Sequence, residues 1–331
     1  MKKLALLSVL WLIAIAVLFP VSGDAAAPKG LIRVAITGGP VQFNKLPLVF
    51  ALARLKEQGY QTEAKFLGAS ELPIQAAMRG EADISTTSMA PYLAAVEAGA
   101  DLKLLLESRK SEYEMLAKKE IKSARDLNGK LLAIHSRVSA TALLANAYLK
   151  KYPDVKPRII IIRGSPTRGQ ALLAGQIDAT VSQFGDTIRL LTKRPGGFNV
   201  LMNFAKEMPL LIDSIYSARP GFIEKNPELV LDFVRAVIWA HRKVTDDPQF
   251  LIKKTPQYSS DMEPEFIPQY AEAYLKNDVW DINGGLDPEG IKFTIDAHRE
   301  VNMVSPKFSA SPESLVIRRF LNQALKEMGK R

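Results

Sequence analysis

Two stretches of this chain say nearly the same thing. QAAMRGEADIST runs from Gln75 to Thr86, and QALLAGQIDATV from Gln170 to Val181. Aligned from Ser70 with Ser165, they share Ser70/Ser165, Gln75/Gln170, Ala76/Ala171, Gly80/Gly175 and Asp83/Asp178. A glycine closing an apolar periodic run is a helix C-terminal signal, because a left-handed backbone costs glycine little. Five identities alone are weak evidence of duplication. The element order around them is the stronger constraint, because each phrase sits in the sequence strand, Gly/Ser turn, helix, glycine, Asp-led strand. A chain that makes this statement twice is expected to fold as two similar α/β lobes.

The rest of the pattern agrees. LIRVAI (31–36), QTEAKFL (61–67), ADIST (82–86) and DLKLLLES (101–108) read as strands, with helices over LPLVFALARLKEQGY, ELPIQAAMRG and APYLAAVEAG. YEMLAKK then restarts the alternation, followed by LLAIH, ALLANAYLKKY, PRIIII, TRGQALLAG and QIDATVSQ. After the strand-like LLIDSIYSA (210–218) the chain reads as helical to its end. Three helices are announced by an N-cap residue, proline and a carboxylate: Asn226-Pro-Glu, Asp287-Pro-Glu and Ser311-Pro-Glu, the last opening a helix expected to run on to Met328. These C-terminal helices are expected to cover the first lobe. The chain would then cross between lobes twice, near Arg109–Tyr113 and near Met208–Ser214. The expected organisation is a leader over 1–25, a first lobe from 26–110 and 213–331, and a second lobe over 111–212.

Lys2 and Lys3 followed by the apolar run Leu4–Phe19, Pro20 and small residues have the order of a secretory signal, with cleavage after Ala25. The run is short for a membrane span. An uncleaved anchor is the alternative. The chain has no cysteine, which excludes disulfides, thiolate metal sites, cysteine nucleophiles and a lipid carried on a first mature cysteine. The expected location is therefore a periplasm, as a soluble protein and not a lipoprotein. The formal net charge is +9, and loss of Lys2, Lys3 and Asp24 lowers it by one. The basic residues are scattered, with no dense Lys/Arg stripe of the kind nucleic acid requires. A generally basic periplasmic protein accounts for most of this charge.

Taken together, the leader, LIRVAITGG, GEADISTTS, IKSARDLNGKLLAIH, GQIDATVSQ and NPELVLDFVRA resemble the periplasmic solute-binding proteins of ABC importers. The resemblance is to the branch that takes alkanesulfonates, taurine, nitrate and thiamine-pyrimidine precursors, and it covers essentially the whole mature chain. It implies a two-lobed periplasmic binding protein fold of the type II-like kind. Two crossover strands would act as hinge, with the ligand between lobes that close over it. It also implies a monomer that works with a membrane permease and no cofactor. The cysteine-rich motif of the thiamine-precursor members is missing, which weighs against a pyrimidine ligand.

Physical reasoning reaches the same cleft. In open α/β sheets ligands bind beyond the carboxyl ends of the strands. The loops there are small and polar. They offer Gly38 and Gly39, then Ser70, then Thr87 and Ser88 in the first lobe. In the second they offer Ser136, Ser139 and Thr141, then Ser165, then Gln183 and Asp186. Hydroxyls and free N–H groups at helix starts make anion sites, although any one such hydroxyl more often only caps its helix. Arg137 and Arg163 follow second-lobe strands and Arg168 lies near the next helix start; arginine clamps oxyanions with paired hydrogen bonds. Phe43, Tyr92 and Phe184 are candidates for apolar walls. The expected ligand is a small organic anion, a sulfonate or carboxylate, with an apolar or aromatic body.

Enzyme signals are poor. His135, His241 and His298 are far apart, so no metal spacing is present. No Gly-x-Ser-x-Gly elbow, P-loop or dinucleotide fingerprint occurs. His135 ends a strand at the cleft and is the one candidate for proton chemistry. The alternatives to a transport receptor are a pyrimidine-precursor-type binding protein, a sensor subunit that presents ligand to a membrane kinase, and an enzyme on this fold that uses His135.

Overall fold

The computed structural model describes residues 29–331 apart from Pro40, Ser260 and Asp261. The expected leader, Met1–Ala25, lies outside the described residues. The first run of elements is β1 (Gly30–Thr37), α1 (Leu46–Glu57), β2 (Tyr60–Leu67), α2 (Leu72–Met78), β3 (Ile84–Ser88), α3 (Met89–Glu97) and β4 (Lys103–Lys110). The second is β5 (Tyr113–Lys118), β6 (Leu131–Ile134), α4 (Ala140–Lys150), β7 (Arg158–Ile161), α5 (Ser165–Leu173), β8 (Ala179–Gln183), α6 (Phe184–Lys193), β9 (Phe198–Asn203) and α7 (Phe204–Glu207). β10 (Ile212–Ala218) follows. The chain then continues through α8 (Pro220–Lys225), α9 (Pro227–Asp246), α10 (Pro248–Tyr258), α11 (Ile267–Lys276), α12 (Pro288–Glu300), α13 (Pro312–Leu315) and α14 (Arg318–Met328).

The strands form two five-stranded sheets, ordered β2-β1-β3-β10-β4 and β7-β6-β8-β5-β9. β1 pairs parallel with β2 and β3, and β6 pairs parallel with β7 and β8. The strand that enters each sheet after a crossing runs antiparallel to both neighbours: β10 between β3 and β4, and β5 between β8 and β9. The chain passes from the first sheet to the second through Ser111 and Glu112 alone, because β4 ends at Lys110 and β5 begins at Tyr113. It returns between α7 and β10.

Each sheet is covered on both faces. In α9, Phe233, Val234, Val237 and Ile238 are fully buried and pack with Ile32, Val34 and Leu55. Burying one such side chain stabilises by roughly 1.5–3 kcal/mol. The other face of the first sheet packs Leu93 and Leu104 with Ile291 and Ile295 of α12. The second sheet buries Leu132, Leu143 and Val181 on one face and Ala133, Leu172 and Leu190 on the other.

The C-terminal helices reach further than expected. α12 packs Ile291 and Ile295 toward the first sheet, but its Phe293 and Ala297, with Val301 just past its end, lie against the core of the second. An amphipathic pattern says which residues are apolar, not how many partners share them. The helix expected from Ser311 to Met328 is broken at Val316, which forms a parallel bridge with Leu104 while the Ile317 amide donates to the Leu104 carbonyl. A free sheet edge claims those backbone groups. Of the three announced caps, Ser311 accepts from the Ser314 amide, whereas the Asp287 side chain makes no cap bond. The Asn226 side-chain amide turns back to donate to the Phe222 carbonyl and so closes α8 instead of capping α9. Among the described residues no helix is long and apolar enough to cross a membrane.

Candidate ligand cleft

The carboxyl ends of β1, β3, β6 and β8 face a cavity of about 90 Å3 between the two sheets. Nine of the expected site residues line it: Gly38, Gly39, Ser70, Thr87 and Ser88 from the first half, and Ser139, Thr141, Ser165 and Gln183 from the second. A second cavity of about 430 Å3 opens beside it and shares Gly39, Gln42, Gly164 and Gln183 with it. Phe43 and Asp186 line this second space with Tyr270, Tyr274 and Met262. Ser136 lies beside the first cavity without lining it. Arg137 and Arg163 are exposed outside it. Phe184 is buried, its ring edge-on to Tyr274. Tyr92 is in the core of the first half, its hydroxyl donating to the Leu102 carbonyl. An arginine just past a strand end is as close to bulk water as to the cleft, and solvation of its charge decides for water.

Four helices start at the cavity: α3, α4, α5 and α6. Their N-cap residues are Ser88, Ser139, Gly164 and Gln183, all of which line it, and none makes a side-chain cap bond. The hydroxyls are engaged elsewhere or point inward. Ser139 Oγ donates to the Ser136 carbonyl and accepts from the Ser136 amide, and Thr141 Oγ1 accepts from the His135 amide, so this pair fastens the loop after β6. Thr87 Oγ1 donates to the Ser70 carbonyl at 2.6 Å and accepts from Thr37. Four positive helix ends thus face one small space without the side chains that usually satisfy them.

Reading the sequence alone missed a buried lysine. Lys45 follows Asn44 in a short 3-10 turn before α1 and is 8% exposed, and its Nζ is buried without a hydrogen-bond partner. It lies 5.4 Å from the centre of the Phe66 ring. Gly38 makes room for it: a Cβ there would stand 2.7 Å from Nζ, and the backbone φ of +105° also favours glycine. Burial, then the nearby Arg109 charge, lower the Lys45 pKa to about 7. A lysine at a helix start reads as a solvated side chain, so nothing local signals its burial. Arg109 was equally silent. It is held by ion pairs to Glu112 at 2.8 Å and Asp213 at 3.0 Å, and burial pushes Asp213 up to about 7 against the pull of Arg109.

On the opposite wall, Arg168 is 2% exposed and braced by three bonds to neutral groups. It donates from Nη1 to the Ile162 carbonyl, from Nη2 to the Val181 carbonyl and from Nε to Thr180 Oγ1. His135 Nδ1 accepts from the Gly164 amide at 3.1 Å, so Nε2 carries the proton and is a buried donor at the cavity. Burial and the Arg168, Arg163 and Lys45 charges lower its pKa to about 4, which keeps the ring neutral. His241 and His298 bond backbone carbonyls inside the core. No described carboxylate lines the 90 Å3 cavity. Such a set of donors, with no carboxylate among them, suits an oxyanion better than a cation.

No curated protein matches the chain in sequence. Among solved structures, a protein of Bordetella bronchiseptica RB50 superposes with a TM-score of 0.76 at 18% identity, covering 91% of this chain and 99% of that one. The periplasmic nitrate-binding protein NrtA of Synechocystis PCC 6803 gives 0.72 at 10% identity, over 92% and 90%. The periplasmic aliphatic sulphonate binding protein SsuA of Escherichia coli gives 0.66 at 18% identity, over 87% and 92%. These likenesses show the fold: two α/β lobes of the periplasmic binding protein kind, joined by two crossings. A family model described as NMT1/THI5 like matches residues 48–250, which hold both sheets' central strands and most of the cleft. The chain belongs to the NMT1/THI5-like family.

Proposed function

We propose that this protein is an extracytoplasmic receptor that captures a small organic anion between its lobes and delivers it to the permease of an ABC importer. The carrying observation is the buried, unpartnered Lys45 ammonium set among four uncapped helix N-termini in a cavity lined by no described carboxylate. The lobes are residues 26–110 with 213–331, and 111–212. The 90 Å3 space takes the charged head, a sulfonate or carboxylate. The adjoining space beside Phe43, Tyr270 and Tyr274 takes an apolar or aromatic body. The protein works as a monomer in the periplasm after loss of its leader, by binding and not by turnover. SsuA and NrtA, which bind an aliphatic sulphonate and nitrate, support an anion as ligand.

A thermal-shift screen tests this, because whatever binds the folded chain alone raises its melting temperature. Alkanesulfonates, taurine, nitrate and aromatic carboxylates form one panel. Polyamines, sugars and neutral pyrimidines form the other. Stabilisation by members of the first panel is expected. If only the second panel stabilises, the anion reading fails, and a pyrimidine hit would replace it with a precursor-type receptor.

A further inference from the structure

The crossing between the sheets contains a fully buried carboxylate that ligand binding does not need as a contact. Glu112 is 0% exposed. Its backbone belongs to the second sheet: the Phe184 amide donates to its carbonyl at 3.0 Å, and the β5–β8 ladder begins at the next residue, with Tyr113 opposite Gln183. Its side chain points the other way, into the first half. Oε1 accepts from Asn44 Nδ2 in the turn before α1, and Oε2 accepts from the Tyr274 hydroxyl on α11. Arg109 Nε of β4 lies 2.8 Å from Oε1. One partner comes from its own side: Gln183 Nε2 donates to Oε1 at 2.9 Å, while Gln183 Oε1 accepts from Gln42 of the first half at 3.3 Å. Four of these groups, Gln42, Asn44, Arg109 and Gln183, also line the anion cavity.

We infer that Glu112 is a positioning residue that latches the cleft shut, so that the protein reaches its closed form before ligand arrives. The reason is geometric. Rotation of one lobe away from the other about the crossings moves Glu112 with the second sheet. Asn44, Tyr274 and Arg109 move with the first. Opening therefore trades these charge-assisted hydrogen bonds for bonds to water, and bonds to an ionised carboxylate are the stronger kind to lose. The aromatic contact across the same seam, Phe184 edge-on to Tyr274 at 5.8 Å, separates at the same time. A closed form already populated without ligand reduces the fraction by which intrinsic affinity is discounted. The inference rests on reading the cleft as the ligand site but not on what the ligand is.

The chain has no cysteine, so dyes can be placed at Lys56→Cys and Asp154→Cys, two exposed positions on opposite lobes. Single-molecule energy transfer is then read on protein stripped of ligand. The expected result is a major high-transfer population in the otherwise wild-type chain. Glu112→Gln and Tyr274→Phe should each lower the closed-to-open ratio at least about tenfold, the worth of one hydrogen bond to a charged group. Tyr274→Phe keeps the ring packed on Trp280 and Phe43, so it remains informative if Glu112→Gln does not fold. A ligand-free chain found wholly in the low-transfer state, or variants with the wild-type distribution and normal melting, would overturn the latch. Because no ligand is added, either result is separate from failure of the anion panel.

Discussion

Asp83 and Asp178 stand at matching places in the two halves, each opening a strand after a glycine turned left-handed, Gly80 at φ +78° and Gly175 at φ +74°. Each clamps the start of the neighbouring strand. Asp83 accepts from the Arg33 amide of β1 at 2.9 Å and pairs with the Arg33 guanidinium. Asp178 accepts from the Leu131 amide of β6 at 2.8 Å and from Lys118 Nζ at 2.7 Å. The near-repeat in the sequence is therefore a structural device made twice, at the ends of the strands remote from ligand. At the ligand ends the halves diverge. The first contributes Lys45, buried with no partner. The second contributes Arg168, braced by bonds to two carbonyls and a hydroxyl. The strand clamp is repeated while the two walls of the cavity differ, with an unpartnered amine on one and a braced guanidinium on the other.

That contrast breaks most visibly at Lys45. Lys45→Met should weaken binding of a stabilising anion by about 2–5 kcal/mol, the range for truncating one partner of a buried charge pair, without lowering the melting temperature of the free protein. Calorimetric titration beside a melting curve checks both. Unchanged affinity would move the charge recognition elsewhere. Arg168→Met should do the reverse and cost mainly stability, about 3 kcal/mol, because the Ile162 and Val181 carbonyls and Thr180 lose their donor inside the core. If it weakened binding while leaving chemical denaturation untouched, the assignment of duties would be inverted.

Acidity sharpens the same comparison. Lys45 titrates near about 7 in the folded chain and near about 10.4 when unfolded. Between those values the unfolded chain holds a proton that the folded chain lacks, so this group makes stability rise with pH across that window. Below it the burial penalty is fully present. Anion affinity runs oppositely, falling by about a factor of ten per pH unit above 7 as the ammonium is lost. Titrations with methanesulfonate from about pH 6 to about pH 9 should show that slope in the wild type and none in Lys45→Met. A flat wild-type profile would remove Lys45 from the site. The smallest effect belongs to the shared device. Asp83→Asn and Asp178→Asn should each destabilise by about 1 kcal/mol. Asp83 should cost more because its side chain is only 6% exposed against 22%, and neither change should alter anion affinity. The Lys118 bond and the Leu131 amide help hold the Asp178 carboxyl low despite partial burial. Its contribution is therefore present above the ordinary carboxylate range and is lost as pH falls through its folded value, which acid melts of Asp178→Asn against wild type would register.

The alternation of strand and helix, the glycine stops and the two crossings were all legible in the chain, because each depends on neighbours within a few residues. Cleft loops followed from the same reading: once the strands are known, their carboxyl ends are known, and nine of the small or polar residues named there line one cavity. Helix caps were less legible. Ser139 has the right chemistry to cap α4, yet it braces the Ser136 loop and leaves the helix end open, a choice between two partners equally near in sequence. Charge was the least legible of all. Lys45, Arg109, Glu112 and Asp213 carry ordinary side chains in ordinary local contexts. Burial made them a coupled group, and burial depends on chain segments far away: Asn44 and Tyr274 meet Glu112 from positions 68 and 162 residues distant in the chain. Sequence thus determined where the candidate cleft lies, through short-range backbone preference and periodicity. Only the tertiary structure decided which charges lose their water there, because desolvation is set by everything packed around a group, and that enclosure gives the cleft its sign.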